Sequence, residues 1–407
     1  MTNSVFQAVA ITDKVYWVGG IDWAVRDFHG YLTSRGTTYN AYLVLAQQPT
    51  LIDTVKANMY EEMMARVASV IDPKNVEIIV SNHAEPDHSG SLVRTIDAIK
   101  PRAVYASAKG AEALEQHYHA HLPVTVVPDK GTISLGDMTL TCAETKLVHW
   151  PDSMVSYLAE RRLLFSQDAF GMHLADYRRF ADEMPASILD EEAAKYFANI
   201  LLPLVNPIRK ALDKLGTLNV PIDMIAPDHG PIWRKDIPAV IERYRRWCDQ
   251  PRGNKAVVLY DTMWSATELM ARAIGEGLAA GGAEARLYCL KSSHRSDIAT
   301  AILDAGALLV GAPTINGEAF PTLHDAMTYL RGLRPQGLVG AAFGCYGWGG
   351  EGAGDLLDYL KQMNVELMQQ EPIRCKYAPD DAVLQQCRQL GLNTARRLVE
   401  RTQKPPA

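Results

Sequence analysis

The densest ligand chemistry in the chain is the stretch SNHAEPDHSGS, which sets His83, Glu85, Asp87 and His88 within six residues, directly after the apolar run VEIIVSN. A strand end that feeds a loop aims alternate side chains into one cleft. Two imidazoles and two carboxylates this close carry anionic charges that repel one another until a cation neutralises them. Three further residues extend the set: His149 after the strand-like TKLV, Asp168 at the end of RLLFSQD, and His229 in MIAPDHGP. Each stands where an apolar run gives way to a loop, and a two-sheet sandwich gathers such positions at one edge.

The donor count bears on the chemistry. Four imidazoles and three carboxylates exceed the needs of one ion and suit two, with one carboxylate bridging. Strict H-x-H-x-D-H spacing reads as a dinuclear zinc hydrolase of the metallo-β-lactamase type, but position 85 is Glu. A hard, anionic oxygen there favours iron over zinc and the ferric over the ferrous state, so redox work becomes the expectation. Two divalent ions set against Glu85, Asp87, Asp168 and a bridging hydroxide leave a cluster near neutrality, which can be buried.

A second constellation lies toward the C-terminus. An apolar run ends at Asp261, and Thr262, Met263, Trp264, Ser265, Ala266 and Thr267 then open a helix. Backbone N–H groups and hydroxyls at a helix N-terminus satisfy a phosphate without Lys or Arg. Two further strand ends carry the loops Ala312, Pro313, Thr314, Ile315, Asn316, Gly317 and Phe343, Gly344, Cys345, Tyr346, Gly347, Trp348, Gly349, Gly350. Three loops at one sheet edge, one of them mixing aromatic rings with glycines, suit FMN. No G-x-G-x-x-G opens the first strand-to-helix turn, at 261–267, so NAD and FAD are not indicated.

The elements that must position these groups fall into two patterns. Residues 1–250 alternate short strands (43–53, 76–82, 102–107, 138–144, 162–168) with turns and an amphipathic helix over 59–71, a mixed α/β arrangement of layers. The polar stretch WCDQPRGNKA marks a boundary. Over 254–402 apolar strands alternate strictly with helices, which predicts a doubly wound parallel sheet covered on both faces. With 41 basic and 47 acidic residues the net charge is -6, which disfavours nucleic acid as a partner. No apolar run approaches the ~18 to 20 residues that span a bilayer. The opening residues carry no secretion signal, so a cytoplasmic location is expected. Six scattered cysteines without a C-x-x-C pair predict neither a disulfide framework nor a thiolate-held iron.

H-x-E-x-D-H at 83–88, HWPDSM at 149–154, FSQDAFG at 165–171 and PDHGP at 227–231, followed by a flavodoxin-like half, resemble the flavodiiron proteins, the A-type flavoproteins. DWAVRDFHGY (22–31) and GTTYNAYLV (36–44) extend the likeness over nearly the whole chain. The resemblance implies an αββα metallo-β-lactamase-like sandwich before a flavodoxin-like domain, with two iron ions and FMN. It implies that His83, Glu85 and His149 hold one iron, that Asp87, His88 and His229 hold the other, and that Asp168 bridges them. Ala266 and Cys345 stand where relatives often carry a hydroxyl or amide residue.

The implied activity is reduction of dioxygen to water, of nitric oxide to nitrous oxide, or of both. The resemblance also implies a head-to-tail homodimer or a dimer of dimers. No rubredoxin or reductase segment follows the second domain, so a separate donor is expected: rubredoxin, a reduced deazaflavin coenzyme or a reductase. His29, His173 and Tyr196 are candidates for gating or proton movement, and Trp150 and Trp348 for walls of the two pockets. His117, His119 and His121 read as a solvated face. The competing expectations are a dinuclear zinc hydrolase with an appended flavodoxin-like domain and a non-catalytic redox carrier.

Overall fold

The computed structural model describes residues 5–403, and the expectations about the two chain ends rest partly on residues outside that range. The chain divides into two compact units. The first runs to His29, resumes over Thr33–Tyr196 and closes with Leu204–Cys248; the second takes Gly30–Leu32, Phe197–Pro203 and the chain from Asp249 onward. The change of unit after Cys248 lies in the polar stretch WCDQPRGNKA, whereas the two short segments carry no compositional signal.

In the first unit a seven-stranded sheet runs in chain order from Val9–Ala10 and Val15–Trp17 through β1 (Tyr42–Val44), β2 (Thr50–Ile52), β3 (Ile78–Ser81) and β4 (Ala103–Ala106) to Val124–Val126. The stretch 43–53 is not one strand: β1 and β2 pair antiparallel across a turn that contains Pro49, which lacks the N–H a continuous ladder needs. A short helix α1 (Pro86–Ser89) follows β3 and begins with Pro at its first position, where the missing N–H does no harm.

The second sheet comprises Thr132–Ser134, β5 (Thr139–Glu144), β6 (Met154–Leu158), β7 (Leu163–Gln167) and β8 (Met224–Pro227). TKLV, read above as strand-like, lies in the loop between β5 and β6, so His149 is presented by a loop. The core forms where the sheets face each other: Val44, Ile52, Ile78 and Val80 meet Leu140, Cys142, Met154, Leu158 and Phe165, all buried. Each contributes about 1.5–3 kcal/mol by leaving water. Helices cover the other face of the first sheet through Met63, Val67, Leu92 and Leu114.

The second unit is a parallel sheet built from β9 (Lys255–Tyr260), β10 (Glu284–Cys289), β11 (Ala307–Ile315), β13 (Val339–Tyr346), and a last position shared by β14 (Glu366–Leu367) and β15 (Ile373–Lys376); β12 (Glu318–Ala319) folds back on β11. The spatial order is β10-β9-β11-β13-β14/β15, with the direction of winding reversing between β9 and β11. The central strands β9 and β11 are buried on both faces over most of their length. β10 is half exposed and charged, as an edge strand must be to resist pairing with another chain. Helices α2 (Ala266–Ala280) and α3 (Asp381–Gln403) pack together beside the sheet.

Candidate functional site

The seven side chains singled out above converge in the first unit. His83, Glu85, His149 and Asp168 form one set of metal-capable donors, and Asp87, His88 and His229 a second, with the atoms of each set within 4.8 Å of one another. Asp168 joins them. Its Oδ2 lies 3.0 Å from His149 Nε2 and 3.7 Å from His83 Nε2, while its Oδ1 lies 3.0 Å from His88 Nε2 and 3.6 Å from His229 Nε2. Glu85 Oε2 stands 3.2 Å from His83 Nε2 and 3.0 Å from His149 Nε2. Asp87 Oδ2 stands 3.4 and 3.2 Å from the Nε2 atoms of His88 and His229.

The local fold explains this convergence. β3 ends at Ser81 and releases His83 and Glu85, and α1 carries Asp87 and His88. β7 and β8 are parallel neighbours that end together, releasing Asp168 and His229. The register between them shifts at Gln167, whose φ of 47° marks a bulge that re-aims the following residue. Gln167 also fixes the turn with its own amide, accepting from the Asp168 N–H at 2.7 Å and donating to the Val148 carbonyl beside His149.

Buried polar atoms lacking hydrogen-bond partners include both carboxylate oxygens of Asp87, Asp168 Oδ1, and the Nε2 atoms of His88 and His229. His88 Nε2 and Asp168 Oδ1 are 3.0 Å apart yet make no hydrogen bond of acceptable angle. Buried groups left this way are costly unless an ion satisfies them, and nitrogen with hard oxygen donors suits iron. The residues present therefore fit two ions.

The outward ring nitrogens are held by groups that sequence reasoning did not assign. His83 Nδ1 donates to Asp152 Oδ2 at 3.0 Å, and His229 Nδ1 donates to the Thr38 carbonyl at 2.7 Å. Such partners fix which nitrogen faces a metal and make it more basic. Behind His88 lies a buried carboxylate, Asp228, with Oδ2 3.6 Å from Nδ1. Asp152 sits within the motif HWPDSM and Asp228 within PDHGP, so both were visible as residues though not as supports.

The electrostatics are those of a site that a cation would neutralise. Burial opposes ionisation of Asp168 and Glu85, yet the surrounding imidazoles hold both carboxyls below their usual range. Conversely burial opposes charge on His88, but Asp87 and Asp168 push it up to about 10. His83 rises for the same reason, against burial, through Asp152 and Glu85. Burial, reinforced by Asp53, pushes Asp228 well above a normal carboxyl, and burial pushes Asp53 to about 6.

The flanking candidates divide. His29 Nε2 lies 2.7 Å from Glu85 Oε1 with 55 % of its side chain exposed, so it reaches from the cluster to the surface. His173 and Tyr196 are buried beside His229, with ring centres 4.6 and 6.3 Å away. Burial drives the His173 imidazole toward its neutral form and keeps the Tyr196 phenol protonated. Trp150 packs edge-on against His83 at 5.4 Å, which makes it a wall of the cluster. His117, His119 and His121 are exposed, and His117 stacks on the outer side of Trp150 at 5.8 Å.

In the second unit a cleft of about 680 Å³ opens at the carboxyl ends of the strands. Met263, Trp264, Ala266, Pro313, Thr314, Ile315, Asn316, Gly317, Cys345, Tyr346, Gly347, Trp348 and Gly349 line it, joined by Glu351 and Tyr377. Thr262, Ser265 and Thr267 do not line it. Thr262 and Thr267 are buried beneath the loop, and Ser265, with φ 63°, caps α2. Thr262 Oγ1 is buried without a partner, and the first turn of α2 offers N–H groups that no helical carbonyl takes. Asn316 and Gly317, at φ 53° and 80°, form the two-residue tip of the β11–β12 hairpin, a turn that requires positive φ at both positions. Among the described residues no Lys or Arg lines the cleft. Its size, its aromatic walls and its donor-rich floor fit FMN.

Comparison with known proteins agrees with both halves. Residues 37–230 match the family model described as ODP family beta lactamase, and residues 258–391 match that of flavodoxin. A nitric oxide reductase of Moorella thermoacetica is 43% identical over 397 residues, which is 97% of this chain and 100% of that protein. The solved structure of a rubredoxin oxygen:oxidoreductase from Desulfovibrio gigas superposes with a TM-score of 0.95 at 40% identity, covering 98% of this chain and 100% of that one. The flavodiiron protein of Giardia intestinalis gives a TM-score of 0.95 at 33% identity, covering 98% of each chain. The chain belongs to the flavodiiron protein family, and its units have the metallo-β-lactamase-like and flavodoxin-like folds that define the family.

Proposed function

We propose that this protein is an oxidoreductase that reduces dioxygen to water, nitric oxide to nitrous oxide, or both, with electrons passing from an external donor through FMN to two irons. His83, Glu85 and His149 would hold one iron and Asp87, His88 and His229 the other, with Asp168 offering one oxygen to each set. The observation that carries this reading is the arrangement of Asp168, whose two oxygens face two different sets of imidazoles. Two ferrous ions and a fully reduced flavin together supply the four electrons that dioxygen needs, and two of these suffice to couple two nitric oxide molecules.

The chain's own residues prepare the site. Asp152 and the Thr38 carbonyl fix the tautomers of His83 and His229, so that each presents Nε2 inward. Trp150, Tyr196 and the neutral His173 exclude water around the cluster. His29 holds a proton at Nε2 against Glu85 and connects the pocket with solvent. The loops 262–267, 313–317 and 345–349 hold FMN by backbone N–H groups and aromatic faces.

Residues 1–250 serve as the metal domain and 254–402 as the flavin domain. Trp348 and Trp264, 95% and 91% exposed at the cleft, offer apolar surface that a second copy would cover. A homodimer or dimer of dimers is the assembly we infer, with the flavin of one subunit against the metal pair of its partner. The donor is a separate molecule of the rubredoxin, reduced deazaflavin or reductase class. No helix among the described residues is long and apolar enough to cross a membrane, in keeping with work in the cytoplasm.

Anaerobic turnover of iron-loaded protein with each gas in turn, under saturating reductant, tests the assignment. Uptake of at least one gas well above the rate of free FMN is expected. Two zinc ions per chain with hydrolytic activity and no gas uptake would overturn it.

A further inference from the structure

Two of the six cysteines stand side by side at the wall of the flavin cleft. Cys345 of β13 is the register partner of Cys375 of β15 in a parallel pair. Strand spacing puts such Cα atoms about 4.8 Å apart, inside the ~4.4–6.8 Å range that a disulfide spans. Both thiols leave the sheet on the face that meets α2: Cys345 Sγ lies 3.3 Å from Thr267 Oγ1, and Cys375 Sγ lies 3.7 Å from Met270 Sδ. The pair is the last but one along the two strands, where backbone gives most easily. Cys345 is partly exposed in the cleft, and Cys375 is buried behind it. Elsewhere Cys142 has Ser156 as its register partner and Cys289 has Tyr260, so neither has a neighbouring thiol across its ladder.

We propose that Cys345 and Cys375 are a modification site, a dithiol that hydrogen peroxide closes to a disulfide. The Cys345 thiolate attacks one peroxide oxygen; the O–O bond breaks, the departing hydroxide takes a proton to become water, and Cys345 is left as a sulfenic acid. The Cys375 sulfur then attacks Cys345 Sγ, the S–O bond breaks, and the Cys375 proton leaves with the hydroxide as a second water. The two sulfurs together lose two electrons and the peroxide gains them. Burial pushes the Cys375 thiol up to about 11, which slows its attack in the second step. Closure draws Cys345 away from Thr267, in the first turn of α2, and so acts on the floor of the cleft. The two sulfurs are brought together by the strand pairing, which does not rest on the assignment of FMN.

The test exposes the full-length holoprotein to hydrogen peroxide, quenches with acid, alkylates under denaturing conditions and maps the peptides by mass spectrometry. Two of the six thiols are expected to become inaccessible to alkylation, with one linked peptide pair that carries Cys345 and Cys375, and dithiothreitol should restore both. Cys345→Ser is expected to lose the link, Cys387→Ser to keep it, and Cys375→Ser to leave a sulfenic acid at Cys345 that dimedone traps. A link between Cys375 and Cys387, or passage of Cys345 to the sulfinic acid while Cys375 stays free, overturns the proposal. Should Cys375→Ser fail to fold, the wild-type map and Cys345→Ser decide alone. Gas uptake by protein never exposed to peroxide reads the flavin and iron assignment separately.

Discussion

The metal cluster and the flavin cleft bind by opposite means. In the first unit charged side chains do the work, brought from β3, α1, β7, β8 and one loop, and every one of the seven donors is ionisable. In the second the cleft is lined by aromatic rings, glycines and backbone, with Glu351 the one carboxylate among the described residues that line it. A site made of ionisable side chains is fragile to single substitutions and to pH. A site made of backbone spreads its affinity over many weak contacts.

The largest effect is expected from Asp168→Ala, which removes the oxygen donors common to both sets. Iron should fall to one per chain or fewer and gas reduction should vanish while FMN stays bound; retention of two irons with turnover would break the contrast at its centre. Glu85→His comes next. Replacing a hard anionic donor by imidazole should shift metal retention from iron toward zinc and abolish gas uptake, whereas unchanged activity would remove the argument from ligand hardness. Asp152→Asn leaves the donors in place but weakens the hold on His83, so iron affinity should drop by about 10–100-fold. Iron titration measures that change, and an unaltered affinity would reduce Asp152 to packing.

On the flavin side Trp348→Ala should weaken FMN by about 0.5–1.5 kcal/mol, a several-fold change in Kd, without altering iron content. A loss as severe as that at Asp168 would show that the cleft too depends on single side chains. The smallest effect concerns pH in the metal-free protein. His88, raised to about 10 in the folded state, lends stability that is complete below the ordinary imidazole value near 6.5 and is lost as pH climbs toward 10. Asp53 and Asp228, also raised, act with the same sign. Glu85 and Asp168 are lowered, so their contribution is present above the ordinary carboxyl range and fades as pH falls. Thermal unfolding of the metal-free protein should therefore peak between pH ~4 and ~6.5, and iron should flatten the profile. A metal-free profile that rises through pH 8 would contradict it.

These differences also govern what could be read before the structure. His83, Glu85, Asp87 and His88 declare themselves because four donors in six residues have few other uses; His149, Asp168 and His229 are legible only together, each where an apolar run gives way to a loop, and the resemblance of their motifs assigns them. Asp228 was passed over because its role depends on Asp53 and His88 meeting it in space, which no spacing encodes. The hairpin at 42–52 is obscured by an apolar run on each side of Pro49, and TKLV, ahead of His149, has the composition of a strand yet lies in a loop. In the second unit the three loops were legible as loops. That Thr262 and Thr267 lie beneath the floor, and that Glu351 and Tyr377 join the walls, depends on how the backbone turns at Ser265 and in the β11–β12 hairpin.

Trp264 and Trp348, the exposed indoles of the cleft, have a practical consequence. An indole beside a flavin surrenders its excitation to it, so cofactor entry should register as a fall in tryptophan emission. The remaining five tryptophans all sit in the first unit, Trp17 and Trp233 well inside it. At a fixed iron content the protein thus carries a native optical gauge of flavin entry, readable without labelling.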